Sequence, residues 1–223
     1  MRLNKFLAQA SGLSRRAADA AISAGHVQVN GTTVTGYDVA DGDVVSHAGH
    51  DYPASSILDR EATTIMLHKP TGYVVSRNGQ GSPTVYDLLP PGLGSLKPVG
   101  RLDKDSSGLL LLTDDGDLAN ELTHPSRRKT KVYTVRLDAP LQPLHRQMIA
   151  DFGVQLDDGP SQLGLQRTAE GDDTAWQVTM HEGRNRQIRR TFDSLGYTVI
   201  KLHRTSFGQY HLDNLKAGAY RHI

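Results

Sequence analysis

The sequence predicts an α+β protein, with a small helix–helix–hairpin domain followed by a larger domain built on a mixed, mainly antiparallel β-sheet with flanking helices. The first 45 or so residues show helical spacing and then a hairpin signal, whereas strand-like runs recur from residue 64 onward. Few helical stretches separate those runs, which favours a mixed sheet over a doubly wound parallel one. With 223 residues, the chain is long enough for both domains.

The first predicted domain covers residues 1–46. Its first helix is indicated by apolar residues at helical spacing: Leu3, Phe6, Leu7 and Ala10. Gly12 ends this helix, and Ser14 can cap a second helix over residues 15–24. The stretch HVQVNGTTV then alternates valines around Asn30-Gly31, which predicts a hairpin.

Residues 47–63 show no clear periodicity and are predicted to be a linker. The second predicted domain covers residues 64–223. Its strand-like runs are TIMLH, YVVS, GLLLLT, KVYTVRL, AWQVTM and TVIKLHR. Helices are expected between them, near residues 118–122, 143–151 and 185–195.

The composition excludes several classes of protein. The absence of cysteine excludes disulfides, thiolate zinc sites and cysteine nucleophiles. The N-terminal residues lack the apolar core of a signal peptide, and the longest apolar run, Leu109–Leu112, is far too short to span a bilayer. We therefore expect a cytoplasmic protein with no membrane partner.

The basic residues are concentrated in two stretches, although the net charge is only +1. Residues 127–136 hold five Lys or Arg and no acid, and residues 181–204 hold six against Glu182 and Asp193. Such stretches in a near-neutral chain suit a polyanion bound on one face. Taken singly, each stretch is better explained as a solvated surface.

The stretch GRLDKDSSGLLLLTDDG presents Asp103 and Asp105 just before four leucines. Three interpretations arise: an ordinary turn, a calcium loop, or a catalytic carboxylate held by a rigid strand. The calcium motif is matched in part, by Asp103, Asp105, Ser107, Gly108 and Asp114. It requires flanking helices, however, whereas the leucines predict a buried strand. The calcium interpretation is therefore disfavoured.

Two further stretches offer partners for a catalytic aspartate. Tyr133 lies on the predicted strand KVYTV, and HEGRNRQIRRTFDSLG places four arginines near the start of a helix: Arg184, Arg186, Arg189 and Arg190. Cations at a helix N-terminus oppose the helix dipole, which indicates that anions occupy the site. An aspartate, an aromatic ring and an arginine together suit a base flipped out of a nucleic acid.

Two resemblances follow from these motifs. RLNKFLAQASGLSRRAADAAISAGHVQVNG resembles the small RNA-binding domain named after ribosomal small-subunit protein four. GRLDKDSSGLLLLTDDGDLA resembles the signature of the ribosomal RNA pseudouridine synthases. HKPTGYVVS, KVYTVRL, EGRNRQIRR and TVIKLHRTSFGQYHLDNLKAGAYR match further motifs of that family in the same order.

The resemblance implies that uridines of ribosomal RNA, free or in a ribosome-assembly intermediate, are isomerised by a monomer without metal or cofactor. Asp103 is then the essential carboxylate, Tyr133 stacks on the target uracil, and Arg189 forms a salt bridge with Asp103. RNA contacts are expected from Arg2, Lys5, Arg15 and Arg16 in the first domain. In the second domain they are expected from Arg101, Lys129, Lys131, Arg184, Asn185, Arg186 and Gln187. Asp105 is expected to be a loop or substrate-contact residue.

Two departures from the family pattern lie outside these three catalytic candidates. His68 precedes Lys69-Pro70 where Asn is frequent, and Thr191 follows RQIRR where Met is frequent. The alternative function is a ribosome-assembly factor that binds RNA without catalysis. Such a factor has little need for Asp103, Tyr133 and Arg189 together, so the sequence favours the enzyme.

Overall fold

The computed structural model describes residues 1–223, which divide into two compact units, Met1–Ala62 and Thr63–Ile223. Each unit contains its own apolar core. The mixture of helices with mainly antiparallel strands confirms the predicted α+β class. None of the helices combines the length and apolar character needed to cross a membrane.

The first unit packs two helices against a small antiparallel sheet. Its helices are α1 (Leu3–Ser11), α2 (Arg15–Ser23) and the short α3 (Ser55–Leu58). Its strands are β1 (Val27–Val29), β2 (Thr32–Thr33), β3 (Val44–His47) and β4 (His50–Pro53), in the order β2-β1-β3-β4. Phe6 and Leu7 of α1 and Val27 of β1 are completely buried between these elements.

Local sequence explains how these elements begin and end. The Ser14 hydroxyl accepts a hydrogen bond from the Ala17 amide at 3.1 Å and so caps α2. Gly12 ends α1 with a φ of 77°. Asn30 and Gly31 both have positive φ between β1 and β2, as the tight hairpin turn requires.

The segment 47–63, predicted to be a linker, is largely folded into the first unit. His47 and His50 pair across the Ala48-Gly49 turn that joins β3 to β4, and α3 follows directly. Ala54 is 1% exposed within the same core as α1. The hydrophobic pattern missed this segment because β4 is short and mostly polar, and Tyr52 is its one aromatic contact with the core.

The second unit is built on a large mixed sheet in the order β11-β12-β8-β13-β7-β5-β15, with β14 paired to β13 and β6 to β7. Its strands are β5 (Thr64–Lys69), β6 (Lys97–Val99), β7 (Ser107–Thr113), β8 (Lys131–Leu137), β9 (Val154–Leu156), β10 (Gly159–Ser161), β11 (Gly164–Arg167), β12 (Ala175–Met180), β13 (Val199–Phe207), β14 (Tyr210–His211) and β15 (Tyr220–His222). Strands β9 and β10 form a separate hairpin, and only β7 and β13 pair in parallel.

The helices of the second unit flank this sheet. They are α4 (Gly116–Thr123), α5 (Pro143–Gln147), which continues as a π-helical turn over Met148–Phe152, and α6 (Gln187–Asp193). Short 3₁₀ turns occupy Val85–Leu88, Pro91–Leu93 and Pro125–Arg127.

Strand β7 is buried on both faces of the sheet. Leu110 and Leu112 belong to one apolar cluster, whereas Leu109 and Leu111 belong to another on the opposite face, and all four are fully buried. A strand covered on both faces needs a continuous apolar run rather than alternation. The four leucines therefore make β7 a rigid support for the loop that precedes it.

Candidate active site

A cavity of about 500 Å³ in the second unit brings together residues from distant parts of the sequence. Asp103 and Ser106 come from the loop before β7, Tyr133 from β8, and Arg186 from the start of α6. The other predicted contact residues that line it are Arg101, Lys129, Lys131, Arg184, Asn185 and Gln187. The two basic stretches of the sequence thus meet at one cavity.

The loop that carries Asp103 is fixed from below by a buried lysine. Lys69, the last residue of β5, is completely buried, and its ammonium group donates hydrogen bonds to three backbone carbonyls. The acceptors are Pro70 at 3.0 Å, Asp103 at 3.0 Å and Ser106 at 2.6 Å. The Ser106 amide closes the turn by donating to the Asp103 carbonyl at 3.1 Å. The Asp103 carbonyl therefore accepts two hydrogen bonds, which fix the backbone that carries the Asp103 carboxylate.

The ammonium group of Lys69 is held in this position at an electrostatic cost. Burial lowers its pKa from 10.5 to about 8, although the negative charges of Asp103 and Asp105 act in the opposite direction. Sequence reasoning gave Lys69 no role. The signal was available, because a lysine at the end of a strand of buried residues requires acceptors in the interior.

The arginines of the α6 segment pair mainly with Asp105. Arg186 donates to both carboxylate oxygens of Asp105, at 3.1 and 3.2 Å, and reaches Asp103 Oδ2 at 3.4 Å. Arg189 lies 3.3 Å from Asp105 Oδ2 and donates to the Asp105 carbonyl at 3.0 Å. The predicted salt bridge between Arg189 and Asp103 is therefore corrected: Arg186 contacts Asp103, and Arg189 supports the loop through Asp105.

Position along the chain explains this division between the two arginines. Arg186 precedes α6 with a φ of 45°, and its side chain is 43% exposed. Arg189 lies inside the helix, is 13% exposed, and also donates to the Val199 carbonyl of β13. Arg189 thus ties together α6, β13 and the loop, whereas Arg186 is the one of these two arginines that lines the cavity.

The paired charges act on the titration of Asp105. Partial burial raises the pKa of this carboxyl, but the hydrogen bond from Arg186 and the charges of Arg189 and Arg186 outweigh it, so the pKa lies below its usual range. For Arg189 the balance is opposite: burial lowers the pKa of its guanidinium despite the charge of Asp105.

Tyr133 forms part of the wall of the cavity and part of the apolar core. It is 7% exposed, and it lies directly opposite Val178 of β12 and Arg204 of β13 in the sheet. Its backbone is therefore fixed between two neighbouring strands, and the residue lines the cavity.

Two predicted RNA-contact residues are committed to bonds within the chain. Arg184 donates to the Asp158 carboxylate at 2.8 Å and to carbonyls of the β9–β10 hairpin. Gln187 is 2% exposed and donates to Ser161 of that hairpin and to Glu182. Their geometry fits support of the cavity wall rather than direct contact with RNA, because both Nη atoms of Arg184 and the amide nitrogen of Gln187 already donate within the chain.

The remaining predicted RNA-contact residues differ in exposure. Arg101 and Asn185 are exposed at the cavity, and Lys129 forms an ion pair with Glu121 at 2.7 Å there. In the first unit, Arg15 and Arg16 are exposed near the start of α2. Arg2 is exposed before α1, and Lys5 is half-buried within it.

Comparison with known proteins identifies the family. Residues 63–194, more than half of the chain, match the sequence pattern of the RNA pseudouridylate synthase family. Residues 1–45 match that of the S4 domain. The chain belongs to the RNA pseudouridylate synthase family. A crystal structure of a pseudouridylate synthase shares 33% of its sequence, with a TM-score of 0.70, over 100% of this chain and 96% of that one.

Relatives in this pseudouridylate synthase family carry the name ribosomal large subunit pseudouridine synthase B. That of Xanthomonas campestris pv. campestris is 39% identical over 95% of this chain and 44% of its own length. That of Bacillus subtilis is 36% identical over 100% of this chain and 91% of its own length. This chain therefore spans about half the length of some of the curated relatives it matches, and nearly all of others.

Proposed function

We propose that this protein isomerises specific uridines of ribosomal RNA to pseudouridine, with Asp103 as the essential carboxylate. The observation that carries the proposal is the cavity in which Asp103, Tyr133 and Arg186 meet above a loop fixed by Lys69. The family of the chain and the names of its relatives support the same activity and favour the large-subunit RNA as substrate.

In this reaction the bond between the ribose C1′ and the ring nitrogen N1 of the uracil breaks. The carboxylate of Asp103 either attacks C1′ or removes a proton from the sugar, and it must be ionised for both. The Arg186 guanidinium, 3.4 Å from Asp103 Oδ2, stabilises that ionised form.

The base then turns while it is held against Tyr133, and the ring carbon C5 forms the new bond to C1′. The proton on C5 is lost, and N1 gains one, so the product is an isomer of the substrate. Tyr133 is positioned on a buried strand for the stacking that this turn requires. Tyr133 also helps to remove the proton from C5.

Basic residues at the start of α1 and on α2 support a separate RNA contact in the first unit: Arg2, Lys5, Arg15 and Arg16. The basic residues around the cavity support a second one. We propose that a monomer carries out the reaction, because the proposed catalytic residues all line or support one cavity of the second unit. A ribosome-assembly intermediate is the form of RNA in which a target base is accessible for flipping.

The test is tritium release from ring-labelled uridine in transcripts of both ribosomal RNAs, with wild type and Asp103→Asn compared in the presence of EDTA. We expect release by wild type alone, from one transcript, because the amide keeps the shape of the carboxylate but not its charge. Exposed Asp51 of β4 provides a matched control, and Asp51→Asn is expected to release tritium at the wild-type rate. RNA binding without release by wild type would instead favour the non-catalytic assembly factor.

A further inference from the structure

Two cations of the cavity lining, Arg204 and Lys131, form no ion pair with an acid of the chain. Arg204 of β13 is 2% exposed, and its guanidinium carbon lies 5.1 Å from the centre of the Phe207 ring. The ammonium nitrogen of Lys131 lies 5.0 Å from the centre of the same ring. Both residues line the cavity that contains Asp103 and Tyr133.

The bonds within the chain give neither cation a carboxylate partner. Arg204 Nε donates to the Leu109 carbonyl at 2.8 Å, but its buried Nη2 has no partner. Lys131 donates to the backbone carbonyl of Glu182 at 3.2 Å, whereas the Glu182 carboxylate is bound by Arg184 and Gln187. Buried charges without a partner are rare and costly, so the buried Arg204 guanidinium, with the half-buried Lys131 ammonium near the same ring, indicates a negative ligand group.

The titration of Lys131 reflects the same arrangement. Burial and then the charge of Arg204 lower the pKa of Lys131, and the charge of Glu182 opposes them only in part. A negative ligand group near both cations would raise the pKa of Lys131 again and so stabilise its charged form.

The register of the sheet fixes where that charge would lie. Arg204 is directly opposite Tyr133 on β8, and Phe207 is opposite Lys131. The cations therefore adjoin the tyrosine on which the uracil is proposed to stack. Asp103 lies in the loop before β7, so positive and negative groups are supplied by different elements.

We propose that Lys131 and Arg204 stabilise the negative charge that the uracil ring acquires as its bond to ribose breaks. This inference rests on the proposed function. When the C1′–N1 bond breaks, its electron pair stays on N1 and spreads to the ring carbonyl oxygens, while the ribose becomes electron-poor. Asp103 then faces the electron-poor sugar, and the two cations face the electron-rich base, so both stabilise charge that develops only in the transition state.

The competing role for two cations is an anchor for an RNA phosphate, which would contribute to binding before any bond breaks. The two roles predict different effects of a substitution: a phosphate anchor changes the affinity for RNA, whereas charge stabilisation changes the rate of the chemical step. The variants are Lys131→Met, which removes the charge, Lys131→Arg, which keeps it, and Lys97→Met as control, because Lys97 is exposed on β6. The Kd for transcripts of large-subunit RNA and the single-turnover rate of pseudouridine formation are measured for each.

We expect Lys131→Met to lower the single-turnover rate about 10²-fold, as removal of one charge-stabilising donor does, with the Kd nearly unchanged. Lys131→Arg should recover most of the rate, and Lys97→Met should match wild type. A weaker Kd with an unchanged rate would overturn the inference in favour of the phosphate anchor. Lys131→Gln, which keeps a polar end group, replaces Lys131→Met if the latter fails to fold.

Transcripts that contain 5-fluorouridine separate charge stabilisation from a structural role. The fluorine withdraws electrons, so the departing base needs less help from the protein. The loss caused by Lys131→Met, measured as consumption of the target nucleoside in nuclease digests, should therefore be smaller than with uridine. Equal losses on both substrates would overturn the inference. Failure of wild type to form pseudouridine would remove the proposed function as well, whereas an unaffected Lys131→Met would remove this inference alone.

Discussion

At the scale of single residues, Lys69 connects the buried interior to the candidate catalytic loop. Three carbonyls accept hydrogen bonds from its ammonium group, but a neutral amine has only two N–H donors. Loss of the proton therefore leaves one carbonyl of the loop or its neighbour without a donor. Because burial lowers the pKa of Lys69 to about 8, that loss occurs under mildly alkaline conditions.

We therefore predict that kcat/KM for pseudouridine formation falls as the pH rises through about 8, as a pH–rate profile will measure. Stability should respond in the opposite direction. The unfolded chain binds this proton up to about pH 10.5, so between the two pKa values the contribution of Lys69 to the free energy of unfolding rises with pH. Urea unfolding across that range checks the sign.

The control for this profile is Lys104→Met, because Lys104 is an exposed lysine of the same loop. It should keep the alkaline decline, whereas Lys69→Met should be slow throughout and lack the decline near pH 8. A decline that persists in Lys69→Met would assign it to another group.

The two arginines that meet Asp105 are predicted to differ when each is replaced by glutamine. Arg189 is largely buried and holds two backbone carbonyls, so Arg189→Gln should cost about 1–3 kcal/mol of stability as well as activity. Arg186 is more exposed, so Arg186→Gln should cost less than about 1 kcal/mol while it still slows the reaction. Urea unfolding and single-turnover rates measure the two effects. Equal destabilisation by both variants would contradict this division.

At the scale of elements, the start of β7 depends on a glycine. Gly108 has a φ of 111°, and a Cβ at this position would lie 2.2 Å from the Arg204 carbonyl oxygen and 2.5 Å from the Arg204 nitrogen. This close approach is what allows β7 and β13 to pair in parallel next to the cavity. Any side chain at position 108 would have to displace the backbone of Arg204, which is less able to move than the end of a flexible side chain.

We predict that Gly108→Ala lowers the free energy of unfolding by about 3 kcal/mol or more, because strain and a backbone clash combine. Gly116→Ala is the matched control, since Gly116 begins α4 and a Cβ there meets nothing within 4 Å. Alanine favours helices, so this control should be neutral or stabilising by up to about 1 kcal/mol. Denaturant unfolding of both variants decides the matter, and similar losses would show that contact with Arg204 is unimportant.

Elements with a strong local signal were predictable from the sequence. The spacing of Leu3, Phe6 and Leu7 predicted α1, and Asn30-Gly31 predicted the β1–β2 turn. The β9–β10 hairpin was missed because its strands have three residues each and their partners lie on α6, far away in sequence. Local patterns report which face of an element is buried, but not which distant element covers it.

For the candidate site as well, the sequence predicted which residues take part but not how they pair. The sequence indicated Asp103, Tyr133 and the arginines of the α6 segment as one group, and all of them line or support the cavity. The resemblance implied that Arg189 meets Asp103, but Arg186 contacts Asp103 and Arg189 meets Asp105. That choice depends on the φ of 45° at Arg186 and on the distance from α6 to β13, neither of which the sequence pattern carries.

At the scale of the whole molecule, a net charge of +1 conceals basic surfaces in both units. Each unit has its own core, so residues 63–223 should fold without the first unit. RNA binding by phosphate contacts weakens with salt in proportion to the number of contacts, because each contact releases counterions. The salt dependence therefore counts the phosphates that each unit neutralises.

If Arg2, Lys5, Arg15 and Arg16 each contact one phosphate, removal of residues 1–62 should lower the slope of log K against log salt by roughly 3. The matched variant in the full chain is Arg15→Gln with Arg16→Gln, both exposed on α2, which should lower the slope by about half as much. Filter binding to ribosomal RNA transcripts over a series of salt concentrations measures both slopes. Neutral glutamines release no counterions from phosphates, so the slope must fall if Arg15 and Arg16 contact the RNA. An unchanged slope in the double variant would therefore show that α2 does not face the RNA.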